Sequence, residues 1–274
     1  QQVLFNSDRG SVKNAWIADY DGEVLGDPRV VTEQNANAIN AAAWTPDGDW
    51  VLGRKRVTDV SSIGVAELWM YHKDGGAGIQ VIAGGGELDA FNATRDGRYL
   101  YLGQSGPFSY ERNPYSSVWS VIRYDRKTGE SHPVTGGNGS AAVPVLSPDE
   151  QSIAFVRRVG TRTTLWIHNL ADGSDKQIWD GLDRDMIEGF GTNYIYPAYD
   201  WMPDGEGLIV WAGGKINRVA ADGSGTSVIP FEADVELTIH EPLRARQDPA
   251  PEMVQSRLIR WPVVSPNGET LVFN

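Results

Sequence analysis

The chain has 274 residues, 41% hydrophobic and 22% charged, the ordinary balance of a polypeptide that buries a core and not of a disordered one. A net charge of −12 with scattered Lys and Arg argues against a nucleic-acid surface or an anionic membrane face. No apolar run approaches the ~18 residues of a spanning helix, and the lack of cysteine removes disulfides, thiolate metal sites and cysteine nucleophiles together.

The chain opens on Gln1-Gln2-Val3-Leu4-Phe5, strand-like and without a basic leader, so no signal peptide is expected here. Ala15-Trp16-Ile17-Ala18, before Asp21-Gly22, and Arg29-Val30-Val31-Thr32 read as the next two strands. A turn then appears at Thr45-Pro46-Asp47-Gly48, followed by strands at Trp50-Val51-Leu52, Leu68-Trp69-Met70-Tyr71 and Gln80-Val81-Ile82. The order returns after Thr94-Arg95-Asp96-Gly97, with strands at Tyr99-Leu100-Tyr101-Leu102, Val118-Trp119-Ser120-Val121 and His132-Pro133-Val134-Thr135. It returns again after Ser147-Pro148-Asp149-Glu150, with Ile153-Ala154-Phe155-Val156 and Leu165-Trp166-Ile167. Met202-Pro203-Asp204-Gly205 precedes Leu208-Ile209-Val210-Trp211 and Lys215-Ile216-Asn217-Arg218-Val219, and Ser265-Pro266-Asn267-Gly268 precedes Leu271-Val272-Phe273. The turn chemistry is that of a hairpin: Pro presets φ, Asp or Asn caps the turn, and Gly takes the positive φ.

Repeats of roughly 45–60 residues, each with four short strands and no helix, predict an all-β fold, a β-propeller of five to six four-stranded blades around a central channel. The units fall at about 1–40, 41–88, 89–140, 141–192 and 193–256, with a partial unit at 257–274, all within one domain. Trp16, Trp69, Trp119 and Trp166 are read as one position on the third strand, a wedge between blades. Both Gln2-Val3-Leu4-Phe5-Asn6 and Thr270-Leu271-Val272-Phe273-Asn274 read as the second strand of a unit. Two expectations follow: a ring closed by exchange of the C-terminal strand, or an incomplete ring from a longer propeller. Unpaired blade edges at the termini would favour self-association.

The pattern Ser-Pro-Asp-Gly, apolar strand, Leu-Trp-Ile, Asp-Gly resembles the TolB-like propellers, found in periplasmic Tol–Pal components and ahead of tricorn-type and prolyl-oligopeptidase-type proteases. Asp180-Gly181-Leu182-Asp183-Arg184-Asp185-Met186, Tyr196-Pro197, Trp211-Ala212-Gly213-Gly214-Lys215-Ile216, Ile229-Pro230-Phe231 and Arg260-Trp261-Pro262-Val263-Val264-Ser265-Pro266 resemble, more narrowly, the propeller of bacterial proteins that couple it to a metal-dependent amidohydrolase domain. The resemblance implies a periplasmic or secreted protein and a catalytic domain beyond Asn274. It implies no amidohydrolase chemistry in these residues.

The residues themselves supply no catalytic motif. His72, His132, His168 and His240 lie far apart and form no His-x-His or His-Glu-x-x-His pattern; His72 and His168 read as equivalent strand positions. Gly103-Gln104-Ser105-Gly106 is not a nucleophile elbow. Gly213-Gly214-Lys215-Ile216 lacks the upstream Gly and the Ser or Thr of a phosphate loop, and reads as a tight hairpin. Arg54-Lys55-Arg56 reads as a solvated hairpin, with Arg157-Arg158 and Arg162 a similar ridge two blades later.

Binding is therefore expected in loops, because propeller strands are committed to packing. Residues 104–117 insert Tyr110, Arg112 and Tyr115; residues 183–199 insert Asp183, Arg184, Asp185, Glu188, Tyr194 and Tyr196; and the polar stretch 232–257 carries His240 and Arg244. Aromatic, Arg and Asp side chains suit peptide or protein contact. Asp180, Asp183, Asp185 and Glu188 leave three readings open: Ca²⁺ ligands, a solvated loop with an internal ion pair to Arg184, or a recognition loop. No other cofactor is expected. The function expected is a non-catalytic propeller that docks on a hydrolase domain and gates or presents its substrate. The alternatives are a free-standing periplasmic interaction module and an ion- or glycan-binding propeller.

Overall fold

The computed structural model describes residues 1–10, 12–58, 65–84, 86–105, 118–185, 187, 199–232, 234–239, 250, 252–253 and 258–273. Two compact units are distinguished, Gln1–Phe231 and Glu232–Asn274. Each turn motif works as its chemistry requires. In the first, Thr45 Oγ1 donates to Asp47 Oδ1 at 2.5 Å and accepts the Trp50 N–H at 3.1 Å, while Gly48 takes φ 72°. The strands on either side of such a turn are thereby fixed in register.

The first unit holds five sheets. β1(Gln2–Ser7), β2(Asn14–Asp19) and β3(Arg29–Val30) form a three-stranded blade 1. Blade 2 is β4(Ile39–Trp44), β5(Trp50–Val57), β6(Val65–His72) and β7(Ile79–Ile82). Blade 3 is β8(Leu88–Ala93), β9(Tyr99–Ser105), β10(Trp119–Asp125) and β11(Glu130–Thr135). Blade 4 is β12(Ala142–Leu146), β13(Ser152–Val159), β14(Arg162–Asn169) and β15(Asp175–Trp179). Blade 5 is β16(Tyr199–Trp201), β17(Gly207–Ala212), β18(Lys215–Ala220) and β19(Thr226–Ile229). The expected all-β propeller is thus present with five blades, and no helix occurs among the described residues. Blade 1 has three strands, as expected of a unit that begins on its second strand: β1 pairs with β2 from Gln2↔Asp19 to Ser7↔Asn14. In the second unit β20(Val263–Val264) and β21(Leu271–Val272) pair through the Ser265 turn.

Alternation along the strands sends one face of each blade to the blade before it and the other to the blade after. Four buried clusters result. Ile17, Ile39, Val51 and Tyr71 fill the space between blades 1 and 2. Leu52, Leu68, Leu100 and Leu102 lie between blades 2 and 3. Tyr101, Val121, Ile153 and Phe155 lie between blades 3 and 4, and Val156, Leu165, Leu208 and Val210 between blades 4 and 5. On blade 5 the face beyond this last cluster exposes Trp211 at 54%, cross-strand from Ile216, where the equivalent residue of blade 4, Val156, is wholly buried.

The register corrects the tryptophan assignment. Trp69, opposite Gly53, and Trp166, opposite Phe155, share one position counted from their turns, and Trp16 lies opposite Phe5 on blade 1. In blade 3 that position is Ile122, opposite Leu102, and Trp119 lies three residues earlier, opposite Ser105. An odd offset reverses the face. Trp119 therefore points towards blade 4, 2% exposed, and donates its indole N–H at 3.0 Å to the carbonyl of Ile187, in the crossing from blade 4 to blade 5.

Candidate functional site

Antiparallel strand order sorts the connections into two groups. The turns between first and second strands, and between third and fourth, lie at one end of the blades, here the turn end. The hairpins between second and third strands and the crossings from blade to blade lie at the other, the loop end. All three segments expected to bind leave from the loop end: 104–117 between β9 and β10, 183–199 between β15 and β16, and 232–257 after β19. Tyr110, Arg112, Tyr115, Glu188, Tyr194, Tyr196, His240 and Arg244 lie outside the described residues.

Asp183, Arg184 and Asp185 are described, and the two carboxylates diverge. Asp183 accepts the Gly213 N–H of blade 5, at 2.8 and 3.0 Å to its two oxygens. Gly213 and Gly214 both take positive φ, 61° and 67°, so the expected tight hairpin between β17 and β18 is present. Asp185 turns to blade 4, where it accepts from Arg158 Nε at 2.5 Å and from Thr163 Oγ1 at 2.7 Å. Arg184 is exposed, and Asp185 forms an ion pair with Arg158. Ile187, 1% exposed, follows as the anchor for Trp119. The loop is a clamp across blades 3, 4 and 5. Among the described residues no group of three or more His, Asp or Glu is gathered as a metal site would need.

Arg162 is exposed as expected, but Arg54-Lys55-Arg56 and Arg157-Arg158 are committed to packing, which corrects their reading as solvated. Arg54 is wholly buried on the blade 3 side of β5 and donates to the Leu88 carbonyl at 3.0 Å, with Glu87 at 3.6 Å. Arg56 on the same face pairs with Glu87 at 2.7 Å, and Lys55 on the other lies 4.3 Å from the Trp69 ring centre. In blade 4 the adjacent arginines point oppositely: Arg158 to Asp185, and Arg157 across the Phe155 and Trp166 rings to Asp175 at 2.7 Å. Asp175 also accepts from Thr135 of blade 3 and meets His168 Nδ1 at 2.6 Å. Burial opposes ionisation of Asp175, but the hydrogen bonds from His168 and Arg157 outweigh it and hold its pKa below the usual carboxylate value. His168 and His72 are not equivalent: His168 lies opposite Ile153 and is buried, whereas His72 lies opposite Trp50, one residue further round, and is half-exposed. The His168–Asp175 pair is closed off by Arg157 and joins blades.

The turn end holds what the sequence did not single out. A cavity of about 310 Å³ opens where the inner strands of blades 2, 3 and 4 meet, walled by Trp44, Phe91, Leu146 and Pro148 and rimmed by Arg95 and Glu150. Asn92 fixes its floor by donating to the Pro144 carbonyl at 2.7 Å and accepting the Leu146 N–H at 3.1 Å. The only advance signal was that Arg95 and Glu150 break the turn motif.

No family model and no curated protein matches the sequence. Solved structures do. A candidate TolB of Agrobacterium tumefaciens superposes with a TM-score of 0.63 at 16% identity, over 83% of this chain and 76% of that one. TolB of Acinetobacter baumannii gives 0.59 at 16% identity over 98% of this chain, which spans 57% of that protein. The tricorn protease gives 0.60 at 12% identity over 83% of this chain, but only 25% of the protease. At such identities the likeness is one of fold, and the chain has the fold of a TolB-like β-propeller.

Proposed function

We propose that this chain is a non-catalytic propeller that docks, by its loop end, on a hydrolase domain of amidohydrolase type and gates or presents substrate to it. The observation that carries this reading is the clamp at Asp183, Asp185 and Ile187. Three blades are tied together where the longest non-repeat segments depart, which gives a rigid platform for contact residues on loops. Tyr110, Arg112, Tyr115, Glu188, Tyr194, Tyr196, His240 and Arg244, with exposed Arg184, are the proposed contacts. The match to one quarter of the tricorn protease supports the idea that such a propeller serves within a longer hydrolase. A periplasmic or secreted location belongs to the same proposal.

The test is peptide mapping and intact mass of the native protein, with residues 1–274 assayed against amide and ester substrates. Peptides beyond Asn274 that carry a His-x-His motif, and no turnover by 1–274, are expected. Turnover by 1–274 that is lost on mutating its own residues would overturn the reading.

The second reading is a free-standing interaction module, favoured by the match to 76% of the candidate TolB chain. A native species of about the 30.0 kDa of this chain would give it the lead. Trp211 on the exposed face of blade 5 then becomes the proposed point of self-association, and Trp211→Ser is expected to abolish any dimer seen by sedimentation.

A further inference from the structure

Five turns share one pattern, and two of them break it in a coordinated way. Arg95 is the only residue other than proline at the second position, and Glu150 the only residue other than glycine at the fourth. The two belong to successive blades and touch: the Arg95 backbone N–H, which a proline would lack, donates to Glu150 Oε1 at 2.6 Å. Arg95 Nη2 donates to the Pro148 carbonyl. Glu150 is held at φ 60°, a left-handed conformation that the repeat's glycine would take without strain. Local fitness is thus sacrificed at both positions of one junction, and both residues rim the 310 Å³ cavity.

The cavity has the chemistry of a selective site. Trp44, Phe91, Leu146 and Pro148 give it an apolar wall, and the exposed guanidinium of Arg95 stands at its lip, its Nε and Nη1 without a hydrogen-bond partner among the described residues. Arg95 also borders a second cavity of about 130 Å³, where Arg126 donates to the Gly97 carbonyl at 2.7 Å. A planar guanidinium with spare donors recognises carboxylate by paired hydrogen bonds. The volume lies at the bottom of the range of about 300–1,000 Å³ seen for small-ligand sites, which suits one amino-acid residue and little more. Glu150 acts as a positioning residue, because its Oε1 holds the Arg95 backbone N–H.

We propose that this turn-end mouth binds an apolar residue bearing a free carboxylate, the chemistry shared by a peptide's C-terminal residue and by an N-acylated amino acid. The site lies at the opposite end of the strands from the loop-end platform and does not depend on it. Calorimetric titration of the chain with N-acetyl-phenylalanine, its carboxamide, and a tetrapeptide ending in Phe with a free carboxylate tests it. Both acids are expected to bind and the carboxamide to bind at least tenfold more weakly. Arg95→Pro restores the residue of the other turns and is expected to keep the fold while weakening both acids at least tenfold. Arg95→Gln, which keeps the backbone N–H, serves should the proline variant not fold. Tighter binding of the tetrapeptide assigns the site to polypeptide ends, and equal binding to small acyl amino acids. Equal affinity for acid and carboxamide, indifference to both substitutions, or no saturable binding of either acid would overturn the proposal.

Discussion

Replacing Asp185 by alanine removes the clamp's hydrogen bonds to Arg158 and Thr163 of blade 4. Those bonds measure 2.5 Å to Arg158 Nε and 2.7 Å to Thr163 Oγ1, and the Arg158 and Asp185 side chains are only 26% and 17% exposed. A hydrogen bond to a charged group contributes about 1.5–3 kcal/mol. The residual exposure lowers this, since solvent screens part of the attraction, so the pair of bonds should contribute about 2–3 kcal/mol. For a chain of this size each kcal/mol moves the melting temperature by about 2–4 °C, so Asp185→Ala should lower it by about 5–10 °C. Asp183→Ala removes only contacts to the exposed Gly213 N–H and should cost less, about 1 kcal/mol. Arg184→Ala should fall within about 0.5 kcal/mol of the parent. Thermal unfolding of the three variants, with a double-mutant cycle between Asp185 and Arg158, measures all of this. A loss at Asp185 below about 0.5 kcal/mol, or an equal loss at Arg184, would refute the clamp.

Three other outcomes are expected. Asp125 accepts from Arg98 at 2.8 Å and from the Lys127 N–H, which holds its pKa at about 2; this depressed value stabilises the fold above the unfolded value of about 3.9 and the effect is lost as pH falls towards 2. Carbonyl NMR titration should find that midpoint, and Arg98→Ala should raise it. Tyr71 is fully buried, its phenol pKa is pushed up by burial, and its hydroxyl has no partner among the described residues, so Tyr71→Phe should leave stability unchanged or raise it by about 1 kcal/mol in chemical denaturation. Trp119→Phe loses the bond to Ile187 and buried indole surface, for about 2 kcal/mol, whereas Trp166→Phe, at a half-buried position, should cost less in the same assay.

The propeller was legible because its information is local. A turn such as Thr45-Pro46-Asp47-Gly48 carries its own hydrogen bonds and glycine conformation, so recognising it also fixes the two strands that flank it. What sits on which face was less legible, because that depends on counting. Trp119 resembles Trp69 and Trp166 in its local sequence, yet lies an odd number of residues from their register, and one odd step sends a side chain to the opposite blade. Arg54-Lys55-Arg56 reads as a run of charge, but a strand alternates, so Arg54 is driven inside while Lys55 covers a tryptophan on the other face.

The site follows the same logic one level up. Asp183 and Asp185 are neighbours in sequence, which suggested a shared ion or a common partner in Arg184. In space they serve different blades, because what selects their partners is the junction they span and not the distance between them in the chain. Arg95 and Glu150 are the converse: remote in sequence, each a minor irregularity when read alone, they become one structure only when blades 3 and 4 stand side by side. In a repeat protein the consensus encodes the scaffold. Function is therefore to be sought where two departures from that consensus meet across a junction, since neither would be retained for the stability of its own blade.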